Sequence, residues 1–408
     1  MGDDGNAPAA VENGALLMPD RRILTLNAGS SSLKFGLYAV PGTGAPLAVG
    51  QVEGIGGPTP RLTLNAGRVQ ARDLAAPEAA TQTDAMARVW DAVSSLLQGA
   101  VVAAVGHRIV HGGARFAAPM ALDADVMAEL AKYENFAPLH QPHNLAGVRV
   151  AAAAFPDALQ VGCFDTAFHR SMGFAAESFG LPQAMHDRGI KRYGFHGLSY
   201  QAIARKLAEA APDLAGGQVI VAHLGSGASL CAMKGGRSVA TTMGFSPLDG
   251  LVMSTRCGRL DPGVILHLMQ NEGMDGAAIT DLLYRRSGLK GLSGETGDMQ
   301  VLLASDAPAA AQALSVWVLR ARQEIASMAA AMEGVDALVF TAGIGERSAE
   351  IRARVCAGLG WMGIGVDRAR NMAGAAVIST DSAPVSVRVI ATDEEGVIAR
   401  AAGALLGG

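Results

Sequence analysis

The sequence predicts an α/β protein in which sheets and helices form layers. Alanine-rich segments with helical periodicity alternate along the chain with short β-rich runs, a pattern typical of layered sheets. Two stretches roughly 200 residues apart share one design, a strand, a turn of Gly and Ser, and a second strand. This echo suggests two duplicated halves facing each other across a cleft, although on pattern alone a fold without duplication is equally open.

The individual elements follow from periodicity and from the residues that interrupt it. Helical periodicity covers residues 83–97 and residues 316–332. The expected strands are short apolar runs bounded by turn-forming residues. They are residues 23–27, 33–40, 101–105, 159–164, 218–224, 229–233 and 337–341.

Composition limits the classes of partner and compartment. The 408 residues are 50% hydrophobic and carry a net charge of -4, which predicts two domains and gives no basic footprint for nucleic acid or anionic membranes. No run reaches the ~18–20 apolar residues needed to span a bilayer. Four scattered cysteines without a C-x-x-C pair indicate reduced thiols and a cytoplasmic protein. Residues 1–20 lack signal and transit features, so we expect a disordered N-terminal tail.

The first candidate site is the turn at residues 28–32. Gly and small hydroxyl residues in a turn can present backbone N–H and short O–H donors to an anion. Lys34 adds a point charge, and Asn27 offers an oxygen that could hold metal-bound water. An ordinary polar hairpin turn is the alternative. The chain has no G-x-x-x-x-G-K-[ST] sequence, which excludes a Walker-type nucleotide site.

Two arginines are candidate clamps for an anion. Arg108 ends a predicted strand and is followed by a Gly pair, which suits a guanidinium that forks onto a carboxylate or phosphate. Arg256 lies in the Gly- and Pro-rich loop of residues 244–258, and long loops inside compact domains are usually functional. Arg259 is expected to be a surface residue.

Asp165 and His196 each have two interpretations. Asp165 follows a buried strand, where ligand sites of α/β proteins cluster, but it could instead cap a helix. His196 lies between two glycines that could present its imidazole to a cleft, or it could be structural. A metal-dependent hydrolase is a remote alternative, because its potential ligands match no zinc motif. Those ligands are His107, His111, His140 and His143.

The C-terminal part contains two more candidate sites. Residues 340–347 place Gly-x-Gly after a buried strand, which lets a flat ring or sugar approach the backbone, but the third Gly of the dinucleotide fingerprint is missing. Glu394 and Glu395 form an acidic pair that could reach Mg²⁺ through water, since that ion is usually held by one or two carboxylates plus phosphates. A solvated acidic turn is the alternative for this pair.

Taken together and in order, these segments resemble the acetate kinase family. The resemblance runs from residue 21 to the C-terminus and is carried by residues 26–34, 105–113, 164–169, 193–197, 243–256 and 343–346. It implies two duplicated actin-like (RNase H-like) domains around a nucleotide cleft. Residues 21–165 with 393–408 would form domain I, and residues 166–392 domain II. It also implies a homodimer with ATP and acetate as substrates.

The resemblance implies roles for the matching positions. The Mg²⁺ site, which could also take Mn²⁺, would contain Asn27 and Glu394. The residues acting on the reacting groups would be Arg108, Arg256, Asp165 and His196. The acyl group would bind Arg108 and a methyl pocket of Val110, Leu139, Phe195 and Pro247. ATP or ADP would lie against Lys34, His223, Leu224, Gly225, Ser226, Gly227, Asp298, Met299, Gln300, Gly343, Ile344, Gly345, Glu346 and Arg347.

Four positions depart from the family pattern. Ser226 and Arg347 each replace an Asn in the nucleotide loops, Arg259 replaces an Asp, and Asp393 replaces an Asn. The first two bear on nucleotide preference, and none removes a proposed catalytic group. Two alternative functions stay open at this point: a propionate kinase, and an ATP-binding module like actin or Hsp70 without a small substrate.

Overall fold

The computed structural model describes residues 20–29, 32–138 and 140–407. Apart from Asp20, the predicted N-terminal tail lies outside these residues, as do Ser30 and Ser31 of the first turn. Two β-sheets form the framework, and helices cover their faces. In the described residues no helix is both long enough and apolar enough to cross a membrane.

The first sheet is built entirely from the N-terminal part of the chain. Its eight strands are ordered β5-β4-β3-β2-β1-β6-β8-β7. Each strand from β1 to β5 pairs antiparallel with the next one, whereas β6 and β8 run parallel to β1. The strands are β1 (Arg21–Ala28), β2 (Ser32–Ala39), β3 (Ala48–Glu53), β4 (Arg61–Asn65), β5 (Val69–Asp73), β6 (Val101–Ile109), β7 (Met120–Ala121) and β8 (Leu159–Phe164).

The second sheet repeats the central part of the first. Its order is β11-β10-β9-β12-β13, with an antiparallel β9–β10 hairpin and with β12 parallel to both β9 and β13. Strands β3-β2-β1-β6-β8 have the same order and the same directions, so the duplication suggested by the two hairpins is confirmed. The strands are β9 (Gln218–Leu224), β10 (Ala228–Lys234), β11 (Arg237–Thr241), β12 (Ala337–Thr341) and β13 (Ser386–Val389).

Sixteen α-helices occur in the described residues, and four short 3₁₀ segments accompany them. The helices are α1 (Gln82–Leu97), α2 (Ala124–Ala131), α3 (Gln141–Ala154), α4 (Phe174–Glu177), α5 (Gln183–Asp187), α6 (Gly197–Ala210), α7 (Pro212–Ala215), α8 (Pro262–Gln270), α9 (Gly276–Arg285), α10 (Gly288–Ser293), α11 (Met299–Ala304), α12 (Pro308–Met332), α13 (Ala342–Arg347), α14 (Ala349–Cys356), α15 (Arg368–Met372) and α16 (Glu394–Leu406).

The C-terminal helix α16 packs on the first sheet, not on the second. Its buried residue Ile398 lies in one apolar cluster with Ile23 of β1 and Ala104 of β6. The contact at Gly106 is so close that a Cβ there would lie 2.4 Å from Ile398 Cγ2. Helix α6 contributes Leu198 to the same cluster and other side chains to a cluster on the second sheet, so it lies between the two sheets.

Most predicted elements match the observed ones. The strands at residues 159–164, 218–224 and 337–341 have the predicted bounds. The strand predicted at 101–105 continues to Ile109, because Gly106 and the polar residues after it stay in the ladder between β1 and β8. The helix predicted at 316–332 begins earlier, at Pro308, where proline is tolerated in the first turn.

Candidate active site

The two Gly-Ser hairpins and the ends of several strands meet at one cavity between the sheets. Its volume is ≈ 650 Å³. Fourteen of the residues to which the resemblance assigns a role line it: Asn27, Lys34, Arg108, Val110, His196, His223, Gly225, Ser226, Gly227, Arg256, Gly343, Glu346, Arg347 and Glu394. The cavity therefore brings together segments that are up to about 370 residues apart in the chain.

Arg108, near the end of β6, is held by side chains on both sides. Its Nη2 lies 2.6 Å from Asp165 Oδ2, and its Nε lies 3.0 Å from the same oxygen. Its Nη1 donates to Asn27 Oδ1 at 3.1 Å and lies 3.5 Å from Glu394 Oε2. Burial opposes the charged form, but the nearby carboxylates outweigh it and raise the pKa of Arg108. The guanidinium is fully charged and fixed in orientation.

Asp165 is the partner that fixes Arg108, and it does not cap a helix. The 3₁₀ segment that follows begins at Ala167, and the residue before it is Thr166. The Asp165 side chain is 1% exposed and is directed to Arg108, while its backbone oxygen accepts from Gly197 N at 2.9 Å. The helix-cap interpretation is therefore wrong, because the carboxylate accepts hydrogen bonds from Arg108 on the neighbouring strand β6.

Glu394 and Glu395 open helix α16 beside Asn27. Asn27 Nδ2 donates to Glu394 Oε2 at 3.0 Å and to Glu395 Oε1 at 3.3 Å. Burial favours the neutral form of both residues, but the charges of Arg108 and Lys34 and the hydrogen bond from Asn27 help to lower the pKa of Glu394. Burial and the charge of Glu394 raise the pKa of Glu395. Glu394 is buried and both carboxyl groups contact Asn27, so the pair is not a solvated acidic turn.

Arg256 enters the cavity from the other side and makes fewer polar contacts than Arg108 does. Its Nη1 donates to Pro247 O at 3.2 Å and lies 3.6 Å from Met253 Sδ. In the described part of the chain no carboxylate lies within 4 Å of it, unlike Arg108. Burial lowers the pKa of Arg256, but an arginine keeps its charge at neutral pH. The guanidinium of Arg256 is therefore available to bind an anion.

His196 and His223 form a stacked pair at the back of the cavity. Their rings are 4.1 Å apart, and each Nδ1 is fixed at 2.8 Å by a serine hydroxyl, Ser229 for His196 and Ser199 for His223. Burial lowers the pKa of His223 to about 4 and that of His196 well below its usual value, aided by the facing charges. Both imidazoles are neutral at pH 7. His196 has a positive φ of 59°, which is uncommon for a side chain of its size.

Of the predicted methyl-pocket residues in the described part of the chain, Val110 lines the cavity, whereas Phe195 and Pro247 do not. Val110 is 5% exposed and lines the cavity, and Phe195 belongs to the same apolar cluster. Pro247 is in direct contact with Arg256 through its carbonyl oxygen. Leu139, the fourth predicted wall residue, lies outside the described residues.

The nucleotide loops sit at the hairpin β9–β10 and at the start of α13. Gly225 N donates to Gly227 O at 3.1 Å, which closes the first turn, and Ser254 N donates to Ser226 O at 3.1 Å. In the second loop Glu346 accepts from Ala342 N at 2.8 Å and from Thr392 N at 3.1 Å. Glu346 thus joins this loop to the segment that leads into Glu394.

Several predicted nucleotide residues do not line the cavity. Asp298 caps helix α11, accepting from Gln300 N at 2.7 Å, and it precedes Met299, which is buried. Leu224 is 1% exposed in strand β9, and Ile344 and Gly345 are within helix α13. Arg347, which stands where the family has Asn, contacts its own loop, and its Nε donates to Gly343 O at 3.2 Å.

Sequence reasoning gave two polar lining residues no part in the cleft, His140 and Thr392. His140 lies at the first turn of α3, and its buried Nδ1 has no hydrogen-bond partner in the described residues. Burial and the charges of Arg256 and Arg108 lower its pKa to about 3. Glu395, the second member of the predicted acidic pair, lines the cavity as well. The free Nδ1 of His140 is visible only in three dimensions, because a lone His carries no sequence signal.

The structure gives no support to a metal-dependent hydrolase. Within the described residues, no cluster of three or more His, Cys, Asp or Glu side chains could hold a metal. His107 is buried against Gln160 at 2.8 Å, and His111 lies in a cage of aromatic rings. Arg259 is 75% exposed, as predicted for a surface residue, and Asp393 caps α16 by accepting from Gly396 N at 3.0 Å.

Proteins of known structure or name resemble this chain in both fold and sequence. The structure of a propionate kinase from Francisella tularensis superposes with a TM-score of 0.86 at 34% identity, and that of Porphyromonas gingivalis acetate kinase with 0.80 at 35%. Each comparison covers 93% of this chain and 98% of the other. The acetate kinase of Methylocella silvestris is 47% identical over 397 residues, covering 95% of this chain and 98% of that protein.

The two duplicated sheets and the cleft between them form the predicted actin-like fold, and the two structures that superpose on it at 34% and 35% identity are kinases. A family model described as the Acetokinase family matches residues 22–400. The chain belongs to this family, whose members are kinases with a carboxylate as phosphoryl acceptor.

Proposed function

We propose that the protein transfers the γ-phosphoryl group of ATP to acetate, giving acetyl phosphate and ADP, and catalyses the reverse reaction as well. An acetate oxygen forms a bond to the γ-phosphorus as the bond from that phosphorus to the β,γ-bridging oxygen breaks, and the electron pair stays on ADP. The observation that carries the proposal is the pair of guanidinium groups, Arg108 and Arg256, that face one cavity beside Lys34.

The chemistry calls for electrostatics more than for a general base. A carboxylate is already ionised and nucleophilic at pH 7, because its pKa is near 4 to about 5. The difficulty is to bring it to an anionic phosphate and to stabilise the loose transition state that follows. Neutral His196 suits this task, since it can donate one hydrogen bond to the moving phosphoryl group and does not change its charge near pH 7.

Each arginine has a separate part in this proposal. Arg108, fixed by Asp165, would bind the acetate carboxylate in one orientation. Arg256, with no carboxylate neighbour within 4 Å in the described residues, would bind the migrating phosphoryl group. Asp165 acts through Arg108 and is a positioning residue, and its pairing with Arg108 offsets the repulsion that a carboxylate would exert on an anionic substrate.

The residues at the start of α16 fit a Mg²⁺ ion, the metal that the family implies. Glu394 is buried and its pKa is lowered by the nearby cations, and Mg²⁺ takes one or two carboxylate oxygens together with water and phosphate oxygens. The bound ion would neutralise charge on the phosphates of the nucleotide. Asn27 contacts both Glu394 and Arg108 and so holds the metal side and the acetate side in register. Mn²⁺ prefers similar ligands.

The nucleotide would lie along the turn at residues 225–227 and the loop at residues 343–347, with Lys34 at its phosphates. We further propose the domain division 21–165 with 393–408 against 166–392, which separates the acetate and metal side from the nucleotide side. The packing of α16 on the first sheet supports it. Closure of the two domains would exclude water and protect the acyl phosphate from hydrolysis.

Acetate is preferred to propionate in this proposal, although a structural relative at TM-score 0.86 is a propionate kinase. A small pocket with Val110 in its wall discriminates one methylene by only ~1–3 kcal/mol, so propionate should react too, but less efficiently. Comparing kcat/KM for the two acids tests this order. An ATP-binding module without a substrate would instead hydrolyse ATP slowly, with no response to either acid.

We also propose a cytoplasmic homodimer. All four cysteines are free thiols in the structure. Helix α8 has no buried residue although it carries Val264, Leu266 and Met269, each at least 41% exposed, which suits burial against a second copy. Light scattering of the purified protein gives the mass: twice that of the chain is expected, and the mass of one chain would contradict the dimer.

Trapping of the acyl phosphate with hydroxylamine tests the main proposal. Purified protein with ATP and Mg²⁺ should form a hydroxamate from acetate, less from propionate, and none without an acid. Absence of product with every short acid would refute the function. ATP hydrolysis without hydroxamate would favour the binding-module alternative.

A further inference from the structure

A second cavity of ≈ 340 Å³ shares its wall with the loop that carries Arg256. Arg256 itself lines the cleft, whereas Val252 and Cys257 of the same loop line this second cavity. Helices α10 and α12 supply much of the remaining wall. None of the residues assigned to acetate, ATP or Mg²⁺ lines it.

Three arginines from different parts of the chain line this second cavity. Arg259 follows the Arg256 loop, Arg286 follows helix α9, and Arg320 lies on helix α12. No carboxylate belongs to the lining residues. Three guanidinium groups around one small cavity are suited to an anion with two or more charges, such as a phosphoryl group.

The neighbouring carboxylates do not balance these charges. Asp281 is shared, since its carboxylate lies 2.7 Å from Arg286 Nε and 3.7 Å from Arg285 Nη1. Glu324 lies 3.7 Å from Arg259 Nη1, and its burial raises its pKa. For Arg320, the described residues offer no carboxylate within 4 Å; its Nη1 donates to the Gln323 amide at 2.8 Å. The cavity is therefore left with a net positive charge.

The rest of the wall is apolar. Val252 is buried, Val316 is half-buried, and Leu292 is 45% exposed. An exposed leucine next to arginines is suited to a ligand that has a short carbon chain attached to its charged group. A bare inorganic anion would leave this part of the wall unused.

We propose that this cavity is a second, regulatory site for a small phosphate ester with a short carbon chain. The segment that lines it is tied to the Arg256 loop by backbone hydrogen bonds: Ser287 N donates to Thr255 O at 3.1 Å, and Leu289 N donates to Met253 O at 2.9 Å. A ligand held by Arg286 beside Ser287 shifts this segment, and the shift reaches Arg256. Occupation of the site therefore alters turnover without competing for the cleft.

Binding is tested by equilibrium dialysis with two probes, n-propyl phosphate and inorganic phosphate. The variants are Arg286→Ala and Arg320→Ala, both at exposed positions, with Arg285→Ala as the matched control, because Arg285 is a neighbour outside the cavity. Loss of one guanidinium should weaken binding at this site about tenfold or more, and Arg285→Ala should not. The propyl ester should bind more tightly than phosphate. Equal binding by all four proteins, or no binding of either probe, overturns the proposal.

Kinetics separates this site from the cleft. In the wild type, n-propyl phosphate should change kcat at saturating ATP and acetate, and Arg286→Ala and Arg320→Ala should remove this response while keeping the basal kcat. Inhibition that ATP or acetate overcomes, and that both variants retain, would place the probe in the cleft and overturn the proposal. If hydroxamate formation fails altogether, the dialysis result still decides whether the second site exists.

Discussion

The two arginines of the cleft have the same chemistry but opposite surroundings. Arg108 has a bidentate contact to Asp165, a bond to Asn27, and Glu394 within 3.5 Å. Arg256 touches a backbone carbonyl and a methionine sulfur. Arg108 is thus part of a buried network whose loss affects the fold, whereas Arg256 keeps its charge available for substrate. The difference indicates that the guanidinium of Arg108 is fixed in position before substrate binds, whereas that of Arg256 is free to bind the substrate.

Replacing Arg108 should have the largest effect. In Arg108→Ala the carboxylate of Asp165 stays buried without its cation, which typically costs ~3–5 kcal/mol of stability. We also expect kcat to fall by about 100-fold or more, because a charged donor to the reacting group is lost. Denaturant unfolding and the hydroxamate assay measure the two effects. A variant as stable as the wild type would contradict the network role.

Replacing Arg256 should reduce activity alone. Arg256→Ala leaves no carboxylate unpaired in the described residues, so the unfolding free energy should change by no more than ~1 kcal/mol, while kcat falls about 100- to 1000-fold. Arg259→Ala is the control three residues along, and because Arg259 is 75% exposed it should keep kcat within about twofold. Near-normal turnover of Arg256→Ala would refute its assigned role.

Asp165→Asn tests whether Arg108 depends on its partner. The amide keeps the shape but can hold the guanidinium only by weaker, uncharged acceptance, so Arg108 should lose its fixed orientation. We expect kcat to fall about 10- to 100-fold, with Asp165→Glu restoring part of it. A merely structural role would lower the melting temperature and leave kcat of the folded enzyme unchanged.

The smallest effect concerns pH. His196 lies between the two arginines and is neutral, so kcat should stay flat from about pH 6.5 to 8. Stability should fall as pH falls from about 6.5 towards 4, because unfolded histidines bind protons there while His223, with a pKa of about 4, does not. A pH–rate profile with a step near 6.5 would show a protonated imidazole beside the arginines.

Much of the fold could be predicted from local pattern. Strands such as Gln218–Leu224 are continuous apolar runs between turn residues, and the repeated hairpin correctly indicated the duplication. The packing of α16 on the first sheet entered only through family resemblance. Local pattern could not supply it, because it depends on a contact between Gly106 and Ile398, almost 300 residues apart.

Only part of the candidate site could be predicted from the sequence. Arginines in Gly-rich surroundings gave a signal that family resemblance sharpened, and both lie in the cavity. The partnership of Asp165 with Arg108 could not be read locally, because a carboxylate after a strand also suits a helix cap. His140 was invisible as a lining residue, since its position depends on how α3 packs beside the cleft. The roles of Asp298 and Gln300 stay predictions.

Rescue by free guanidinium tests the contrast between the two arginines most directly. In Arg256→Ala the truncated side chain leaves a cavity open to the cleft and no unpaired carboxylate in the described residues, so added guanidinium ion should restore turnover in a saturable way. In Arg108→Ala the same ion should first restore stability, by pairing with Asp165. Rescue of stability in Arg256→Ala, or none of turnover, would contradict the account.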